Sequence, residues 1–363
     1  MNGLKLERIG LIMQPEPGNP MEAGGVLNPA AVRGPDGELY LFPRVVAAGN
    51  YSRIGIARVV FDGAGDPARV ERLGIALQPE ADYELRSDGG GGCEDPRITF
   101  VEPLRCYVMA YTAHTPDGPR IALAVSHDLF AWQRLGVARF APFNGVHFDG
   151  VDNKDACVFP TAIPNPDGVP AVALLHRPLF PGTRPEEKAR RGSGTRDLHR
   201  ESIWISYCTA AAVPGADPSR LRDFTSHHRL AAPHATWEAL KIGAGPPPVL
   251  TRYGWLMIYH GVQNLRPQNG HHLCYSAGMM VLSADHPHQI RYRSAEPVLT
   301  PTLPQERDGA IANVVFPTGI DRRDDLGAPD RFDVYYGMAD DVIGVARLDL
   351  PDGSRRQPQL SDG

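Results

Sequence analysis

The sequence predicts an all-β protein, specifically a five-bladed β-propeller, and three observations lead to this fold class. Glycine (38) and proline (35) are abundant among the 363 residues, and because both interrupt helix interiors, a bundle of long helices is excluded. Short runs of apolar and β-branched residues recur along the chain, as is typical of strands. These runs come in pairs spaced roughly 65–85 residues apart, which is enough for four short strands and their connections.

Five pairs of strand-like runs carry this repeat. In each pair the first run ends near an aromatic residue or a histidine, and a second run of small and β-branched residues follows after a turn. The pairs are 38–44 with 54–60, 106–111 with 121–125, 171–176 with 202–206, 254–260 with 275–280, and 332–336 with 342–346. Repeated four-stranded antiparallel units, separated by glycine and proline, are typical of a β-propeller. We therefore expect residues 1–350 to form one propeller domain.

Three other segments do not follow the strand repeat. Residues 181–200 are charged and poor in apolar residues, which predicts a surface excursion, either a mobile loop or a lid or subunit contact. Residues 351–363 are expected to form a flexible C-terminal tail. Residues 218–224 can supply one helical turn.

Charge and hydropathy exclude several classes of function. The net charge of −5, without a basic stripe, argues against a nucleic-acid-binding protein. No run of about 18 uncharged apolar residues is present, so no membrane span is expected. The first 20 residues lack the apolar core of a secretion signal. These features together predict a cytoplasmic protein.

The cysteine and histidine patterns do not indicate a metal site. The five cysteines are scattered and include no C-x-x-C pair, which favours reduced, mostly buried thiols over a disulfide framework or a zinc site. The two adjacent histidine pairs, 227–228 and 271–272, have no third ligand nearby in the sequence. We expect no metal and no organic cofactor.

The densest polar cluster is the segment Gly-Gly-Gly-Gly-Cys-Glu-Asp-Pro-Arg at residues 89–97. Its four glycines permit backbone conformations that other residues avoid, and Pro96 biases Asp95 toward an extended conformation. A carboxylic acid in a partly closed pocket is a suitable general acid for cleaving a glycosidic bond. Because Arg97 would favour the ionised form of its partner, we expect Arg97 to pair with Glu94 and to leave Asp95 free.

Basic residues occur at similar places in several of the repeats. Since arginine and lysine bind phosphate through charge-assisted hydrogen bonds, their convergence in an acidic protein predicts an anion site. The glycines after Lys241 are not followed by G-K-[ST], so they do not form a nucleotide-binding P-loop. The candidate residues, with the polar neighbours that accompany them, are Arg44, Arg53, Asn153, Lys154, Asp155, His176, Arg177, Lys241, Tyr259 and His260.

Taken together and in order, these motifs resemble glycoside hydrolase family 130, which comprises β-mannoside phosphorylases and related β-mannosidases. The resemblance covers residues 27 to about 346, and its specificity comes from the ordered set. The matching segments are 27–30 (LNPA), 51–55 (YSRIG), 92–97 (GCEDPR), 153–155 (NKD), 159–160 (FP), 175–178 (LHRP), 241–247 (KIGAGPP), 254–256 (GWL), 259–261 (YHG), 316–317 (FP), 335–337 (YYG) and Asp340.

The resemblance implies a five-bladed propeller and an inverting phosphorolysis of β-mannosides that yields α-D-mannose 1-phosphate. It implies that Asp95 is the proton donor, acting through the 3-hydroxyl of mannose, while inorganic phosphate is the co-substrate. Sugar-binding positions carried over, together with the neighbours of the acid, are Asn28, Arg44, Glu94, Arg97, Asp155 and Asp340. The phosphate positions carried over are Arg53, Asn153, Lys154, His176, Arg177, Lys241, Tyr259 and His260.

One departure from the family pattern keeps an alternative open. Some family phosphorylases have an arginine immediately before the asparagine at position 153, where this chain has Asp152. The loss of one phosphate ligand would favour an inverting β-mannosidase, which needs a second carboxylate to activate water. Glu94, Asp155 and Asp340 are candidates for that base. A third hypothesis is a carbohydrate-binding propeller without catalytic activity.

The partners expected from the sequence are a small carbohydrate and phosphate. Neither nucleic acid nor a membrane is expected to bind. The linkage and the acceptor sugar are not determined by the motifs, because they depend on loops such as 181–200 and 264–272. The oligomeric state is also left open, although homo-oligomers are common among intracellular members of the resembled family.

Overall fold

The computed structural model describes residues 4–180, 200–265 and 272–351. Within these residues the chain forms 24 strands and only short helical segments, so the all-β class is confirmed. The predicted excursion at 181–200, apart from residue 200, and the tail from residue 352 lie outside the described residues.

The first two antiparallel units follow one another along the chain and are joined edge to edge. Residues 51–52 of β4 pair in parallel with the first two residues of β6. In each unit the strands are hydrogen-bonded in sequence order. The strands are β1 (Glu7–Met13), described below, then β2 (Gly25–Arg33), β3 (Leu39–Ala47), β4 (Tyr51–Phe61) and β5 (Pro67–Leu77), followed by β6 (Gly91–Val101), β7 (Cys106–Thr115), β8 (Gly118–Ser126) and β9 (Gln133–Val137).

The third and fourth units repeat this order with small additions. In the third unit the order is β11-β13-β14-β16, and in the fourth it is β17-β19-β20-β21. The short strands β12 and β18 pair with β13 and β19, and β10 pairs in parallel with β15. The bounds are β10 (Arg139–Phe140), β11 (Asp152–Val158), β12 (Ile163–Pro164), β13 (Pro170–Leu179), β14 (Ile203–Cys208), β15 (Asp223–Phe224), β16 (Ser226–Ala231), β17 (Lys241–Ala244), β18 (Val249–Thr251), β19 (Gly254–Asn264), β20 (Leu273–Leu282) and β21 (Ile290–Arg293).

The fifth unit combines strands from both ends of the described chain. Strands β22 (Val315–Arg322), β23 (Arg331–Met338) and β24 (Val342–Asp349) form three of its strands, and β1 adds to β24 as the fourth. Strand β1 lies outside the five pairs of strand-like runs, so the repeat in the sequence did not predict it. The N-terminal strand therefore ties the two ends of the described chain together.

In the described ranges, helical structure is limited to single turns between strands. One of them, Pro218–Arg222, confirms the helical turn expected near residues 218–224, whose last two residues are instead strand β15. The other described 3₁₀ turns are Pro20–Glu22, Asp82–Glu84, Glu102–Leu104, Thr236–Glu238 and Asp324–Leu326. One α-helical turn is described, α1 (Pro304–Arg307).

The hydrophobic core consists of layers between successive units. In the second strand of each unit, neighbouring residues face opposite ways, because side chains alternate along a strand. One residue therefore packs against the preceding unit and the next one packs against the following unit. Each core layer contains one such residue from each of two units. The layers are first–second (Phe42 with Tyr111), second–third (Val108 with Leu174), third–fourth (Leu175 with Met257), fourth–fifth (Ile258 with Val334) and fifth–first (Tyr335 with Leu41).

Candidate active site

A cavity of about 190 Å³ lies where the first strands of the five units come together. It brings together nine of the residues predicted from the sequence, together with Tyr275, Ile311, Val314 and Phe316. Strands β2, β6, β11, β17 and β22 each contribute at least one side chain. The predicted residues that line the cavity are Asn28, Arg44, Glu94, Asp95, Lys154, Asp155, Arg177, Lys241 and Asp340.

Three of these side chains are presented by β-bulges in first strands. Asn28, Asp95 and Asp155 have left-handed backbones, with φ of 45°, 47° and 58°, and each coincides with a shift in the pairing register of its strand. A left-handed backbone is unfavourable for a residue other than glycine. Such strain is typical of functional sites, where surrounding contacts maintain it. The bulges interrupt the alternation of the strands and direct adjacent polar residues into one cavity.

The carboxylate of Asp95 is hydrogen-bonded on one oxygen only. Its Oδ1 accepts a hydrogen bond of 2.9 Å from Asn28 Nδ2 and a longer one of 3.4 Å from Arg44 Nη1. Its Oδ2 accepts no hydrogen bond from any residue that the structure describes. Since Oδ1 is occupied by two donors, Oδ2 is the oxygen available to carry a proton toward a ligand.

Glu94 and Arg97 do not pair with each other, which corrects the sequence prediction. Glu94 Oε1 accepts a hydrogen bond of 2.8 Å from Arg44 Nη2, because β3 brings Arg44 alongside β6. Arg97 lies beneath the cavity with 1% of its surface exposed. Its Nη1 donates to the backbone oxygen of Asp95 at 2.8 Å, and its other nitrogens approach the backbone oxygens of Ala244 and Gly245. Arg97 therefore supports the bulge and does not line the cavity.

Asp340 is a second carboxylate on the same side of the cavity. It lies in the turn between β23 and β24 and also has a left-handed backbone, with φ of 52°. Burial, together with the negative charge of Asp95, raises the pKa of Asp340 to about 6, and Arg44 opposes this shift. Asp340 thus changes its charge close to neutral pH.

Asp155 is held in the ionised form by arginines. Burial alone would raise its pKa, but Arg177, with support from Arg97, outweighs burial and keeps the pKa of Asp155 well below its usual range. Arg177 Nε donates to Asp155 Oδ2 at 2.6 Å, and Arg177 Nη1 contacts Glu201. The guanidinium of Arg177 is therefore fixed at the edge of the cavity.

Two lysines provide positive charge that no described carboxylate neutralises through an ion pair. Neither Lys154 nor Lys241 forms an ion pair with a carboxylate in the described ranges, although both line the cavity. The ammonium of Lys241 lies 5.4 Å from the centre of the Tyr275 ring. With Arg177 beside them, these two ammonium groups form a surface suited to an anion.

The remaining predicted phosphate ligands do not line the cavity. His176 is fully buried, where its ring nitrogens bond Asn153 Oδ1 at 3.0 Å and Ser206 Oγ at 2.7 Å. Burial holds the pKa of His176 well below its usual range, so the ring is neutral. Arg53 pairs in register with Val45, one position out of step with Arg44, and therefore lies on the opposite face of the sheet.

Tyr259 and His260 are also buried and do not line the cavity, although His260 lies directly behind the lining residues Asp155 and Phe316. The hydroxyl of Tyr259 donates to Glu238 Oε2 at 2.8 Å and accepts from Arg293 Nε at 3.2 Å, so its hydrogen-bonding capacity is used within the protein. His260 lies 3.5 Å from Asp155, but burial lowers its pKa to about 3. His260 is therefore uncharged at neutral pH and supplies no positive charge for an anion.

Asp152, which stands where some family phosphorylases have an arginine, forms an ion pair with the nearby Arg120. Arg120 Nη1 donates to Asp152 Oδ1 at 2.8 Å, and Arg120 also bonds neighbouring backbone oxygens. The charge of Asp152 is thereby compensated within the protein. The anion surface consequently retains the two lysines as its unneutralised cations.

Tyr275, Ile311 and Val314 line the cavity but received no role from the sequence. Tyr275 begins the second run of the fourth pair, where it was interpreted as a strand residue. Ile311 and Val314 lie between α1 and β22 and belong to no motif, so no sequence signal distinguished them. Ile311 has 46% of its surface exposed at the mouth of the cavity.

The described residues contain no candidate metal site and no candidate membrane-spanning helix. No group of three or more histidine, cysteine or acidic side chains there has an arrangement that could hold a metal ion. No described helix has the length and apolar character needed to cross a membrane. All five cysteines are buried and unpaired, as predicted.

The site combines a carboxylic acid, Asp95, whose Oδ2 accepts no hydrogen bond from a described residue, with a surface for an anion, on an all-β scaffold. This arrangement suits an enzyme that transfers a glycosyl group to an anion. A family model described as β-1,4-mannooligosaccharide phosphorylase matches residues 6–183 and 192–352. The chain therefore belongs to glycoside hydrolase family 130, which confirms the resemblance found in the sequence.

Individual relatives agree with this assignment. A 1,2-β-oligomannan phosphorylase from Thermoanaerobacter sp. (strain X514) is 30% identical over 358 residues, which cover 96% of this chain and 99% of the relative. A β-1,4-mannooligosaccharide phosphorylase from Ruminococcus albus is 39% identical over 35% of this chain and 36% of its own. The fold is similar to that of β-1,2-mannobiose phosphorylase from Listeria innocua, with a TM-score of 0.69, 21% identity, and coverage of 96% and 97%.

Proposed function

We propose that this protein catalyses the inverting phosphorolysis of β-mannosides and releases α-D-mannose 1-phosphate. The substrate class is a β-1,2- or β-1,4-linked mannosyl sugar or oligomannoside. Support comes from family membership and from relatives named as phosphorylases of β-1,2- and β-1,4-linked mannosides. Inorganic phosphate is the co-substrate, and no organic cofactor or metal is required.

The observation that carries this proposal is that one cavity holds both a carboxylic acid and lysines without a carboxylate partner among the described residues. Asp95 has an Oδ2 that accepts no hydrogen bond from a described residue, and hydrogen bonds to its Oδ1 hold it in place. Lys154 and Lys241 line the same cavity. An acid and cations in one cavity suit a reaction in which an anion attacks as a leaving group takes up a proton.

In the reaction that the family resemblance implies, a phosphate oxygen forms a bond to the anomeric carbon as the glycosidic bond breaks. The departing oxygen takes a proton from the 3-hydroxyl of mannose, which in turn receives the proton of Asp95. Lys154, Lys241 and Arg177 bind and orient the phosphate on the opposite face of the sugar. Attack from that face inverts the configuration at the anomeric carbon.

Hydrolysis by an inverting β-mannosidase is the alternative within the same family. It would require a carboxylate free to activate water. Glu94 is bonded to Arg44, and Asp155 is bonded to Arg177, so both carboxylates are engaged in ion pairs. The third candidate base, Asp340, lines the cavity, has a raised pKa and accepts no hydrogen bond from a described residue, so a hydrolytic reaction would depend on this carboxylate. No observation favours a non-catalytic carbohydrate-binding role.

The fold that we propose for this activity is a single five-bladed propeller. The five core layers link unit one to two, two to three, three to four, four to five, and five back to one. This cyclic order of packing is what a propeller requires, and β1 completes the fifth unit in the same manner. A cytoplasmic location and a homo-oligomeric state remain predictions.

The synthetic direction provides a test, since phosphorolysis of a glycoside is readily reversible. The protein should couple α-D-mannose 1-phosphate to mannose or a β-mannobiose acceptor and release phosphate, which a colorimetric assay measures. The same screen, run with glucose and N-acetylglucosamine as acceptors, identifies the acceptor sugar and the linkage. Absence of phosphate release with every acceptor would contradict the proposal.

A further inference from the structure

Gly337 on β23 lies directly against Asn28, the residue that hydrogen-bonds the proposed acid. If a Cβ atom were added to Gly337, it would overlap Asn28 Oδ1, and its next nearest atoms would be Asn28 Cγ and Asn28 N, both at 3.2 Å. The three nearest atoms thus all belong to Asn28. The backbone of Gly337 does not have a positive φ, so alanine would fit its conformation without strain.

Asn28 uses its amide in only one direction. Its Nδ2 donates to Asp95 Oδ1 at 2.9 Å, whereas its Oδ1 is buried without a hydrogen-bond partner among the described residues. The side chain of Asn28 therefore points Oδ1 toward the surface of Gly337 and Nδ2 toward Asp95. A methyl group at position 337 would force this amide to rotate or shift, and the hydrogen bond to Asp95 would be lost.

From this geometry we propose that Gly337 is a positioning residue for the acid. Because Gly337 has no side chain, the amide of Asn28 has room to adopt the orientation in which its Nδ2 donates to Asp95 Oδ1. This hydrogen bond in turn holds the carboxylate of Asp95. Oδ2 is then left as the oxygen that carries the proton. The proposal assigns no contact between Gly337 and substrate, and it rests on the proposed role of Asp95.

The principal test is Gly337→Ala, with Gly10→Ala as the matched control. Gly10 lies on β1, has no positive φ, and has no atom within 4 Å of an added Cβ. Because a hydrogen bond to a charged group is lost, we expect Gly337→Ala to lower kcat about 10- to 100-fold. The KM for phosphate should remain near that of the wild type, since the lysines are untouched. The Gly10→Ala control should retain full activity.

Two further readouts separate positioning from a general structural effect. Because a carboxylate that loses a donor binds its proton more tightly, the alkaline limb of the kcat profile should move to higher pH. In an Asn28→Ala background, Gly337→Ala should cause no additional loss, because the atoms that it would displace are absent. This double variant also remains informative if Gly337→Ala alone lowers the melting temperature.

Two results would overturn the proposal. One is a Gly337→Ala enzyme as active as Gly10→Ala. The other is a loss in the Asn28→Ala background as large as that in the wild type. Failure of the proposed function would look different, because the wild-type enzyme itself would then cleave β-mannosides without using phosphate. The coupling between positions 28 and 337 can be measured whether the enzyme cleaves β-mannosides by phosphorolysis or by hydrolysis.

Discussion

Two groups of side chains in the cavity differ in how completely the described residues satisfy their charges: the acid side, made of Asn28, Arg44, Glu94 and Asp95, and the cation side, made of Lys154 and Lys241. On the acid side, Arg44 contacts both Glu94 and Asp95, and Asn28 adds a further donor. On the cation side, the ammonium groups have no carboxylate partner within the described ranges. Glu94 and Asp95 are thus held before any ligand binds, whereas the two lysines, like the neighbouring Asp340, are not held by an ion pair with a described residue.

This difference indicates where the protein provides geometry and where the substrate provides charge. The acid must present one oxygen in one direction, so its surroundings are rigid and hydrogen-bonded. Unneutralised lysines in a small cavity attract a negatively charged co-substrate and stabilise it once bound. Variants on the two sides should consequently affect different kinetic parameters.

The largest effect is expected from Asp95→Asn on the acid side. An amide cannot donate the proton, so kcat should fall by about 10²- to 10⁴-fold, the usual contribution of a general acid. The KM for phosphate should change little. Steady-state kinetics with a β-mannobiose checks this prediction, with the exposed Asp349→Asn as a control. Unchanged turnover would remove Asp95 from catalysis, whereas absence of turnover in the wild type would favour a carbohydrate-binding role for the cavity.

A smaller effect, on a different parameter, is expected from Lys241→Ala. Loss of one charge-assisted hydrogen bond should raise the KM for phosphate about 10- to 100-fold, with a much smaller change in the KM for sugar. Lys241→Arg, which keeps the charge, should recover part of the affinity. The comparison of the two sides would be wrong if the KM for sugar rose more than that for phosphate.

The last prediction concerns the pH dependence of the free energy of unfolding, which the ionisation of Asp340 affects. Its pKa in the folded protein is raised to about 6 from an ordinary value of 3.8, so ionisation above this pH destabilises the fold. Asp340→Asn removes that penalty and should increase the free energy of unfolding at pH 8 by at most about 3 kcal/mol, because each pKa unit corresponds to about 1.4 kcal/mol. The gain should shrink as the pH falls through 6 and vanish below about 4.

Urea unfolding of both proteins at pH 8 and pH 4 measures this difference. The increase should be present at pH 8 and absent at pH 4, because protonated aspartic acid and asparagine are both neutral. A gain of equal size at both pH values would mean that packing, and not ionisation, distinguishes the two side chains.

The sequence predicted the middle of each unit better than its first strand. The ten strand-like runs correspond to the second and third strands of the five units, where apolar residues dominate. First strands such as β6 and β11 contain polar residues and bulges, and these break the alternating pattern that identifies a strand. The strands that form the site are therefore the ones that the apolar pattern misses.

The motifs likewise predicted only some of the residues that line the cavity. Asp95, Lys154 and Lys241 line the cavity as expected. Tyr259 does not, because a strand buried on both faces gives no sign of which way each residue points. The predicted partner of Arg97 was also wrong, since Arg97 bonds carbonyl oxygens, of Asp95 on its own strand and of Ala244 and Gly245, which are distant in sequence. Backbone carbonyl oxygens are present at every residue, so the sequence does not indicate which of them an arginine will bond.

Cleavage of a β-mannobiose in the presence and absence of phosphate tests the central claim most directly. We predict that cleavage requires phosphate and that phosphorus-31 NMR detects α-D-mannose 1-phosphate as the product. Cleavage at the same rate without phosphate, with free mannose as the only product from the non-reducing end, would contradict the account.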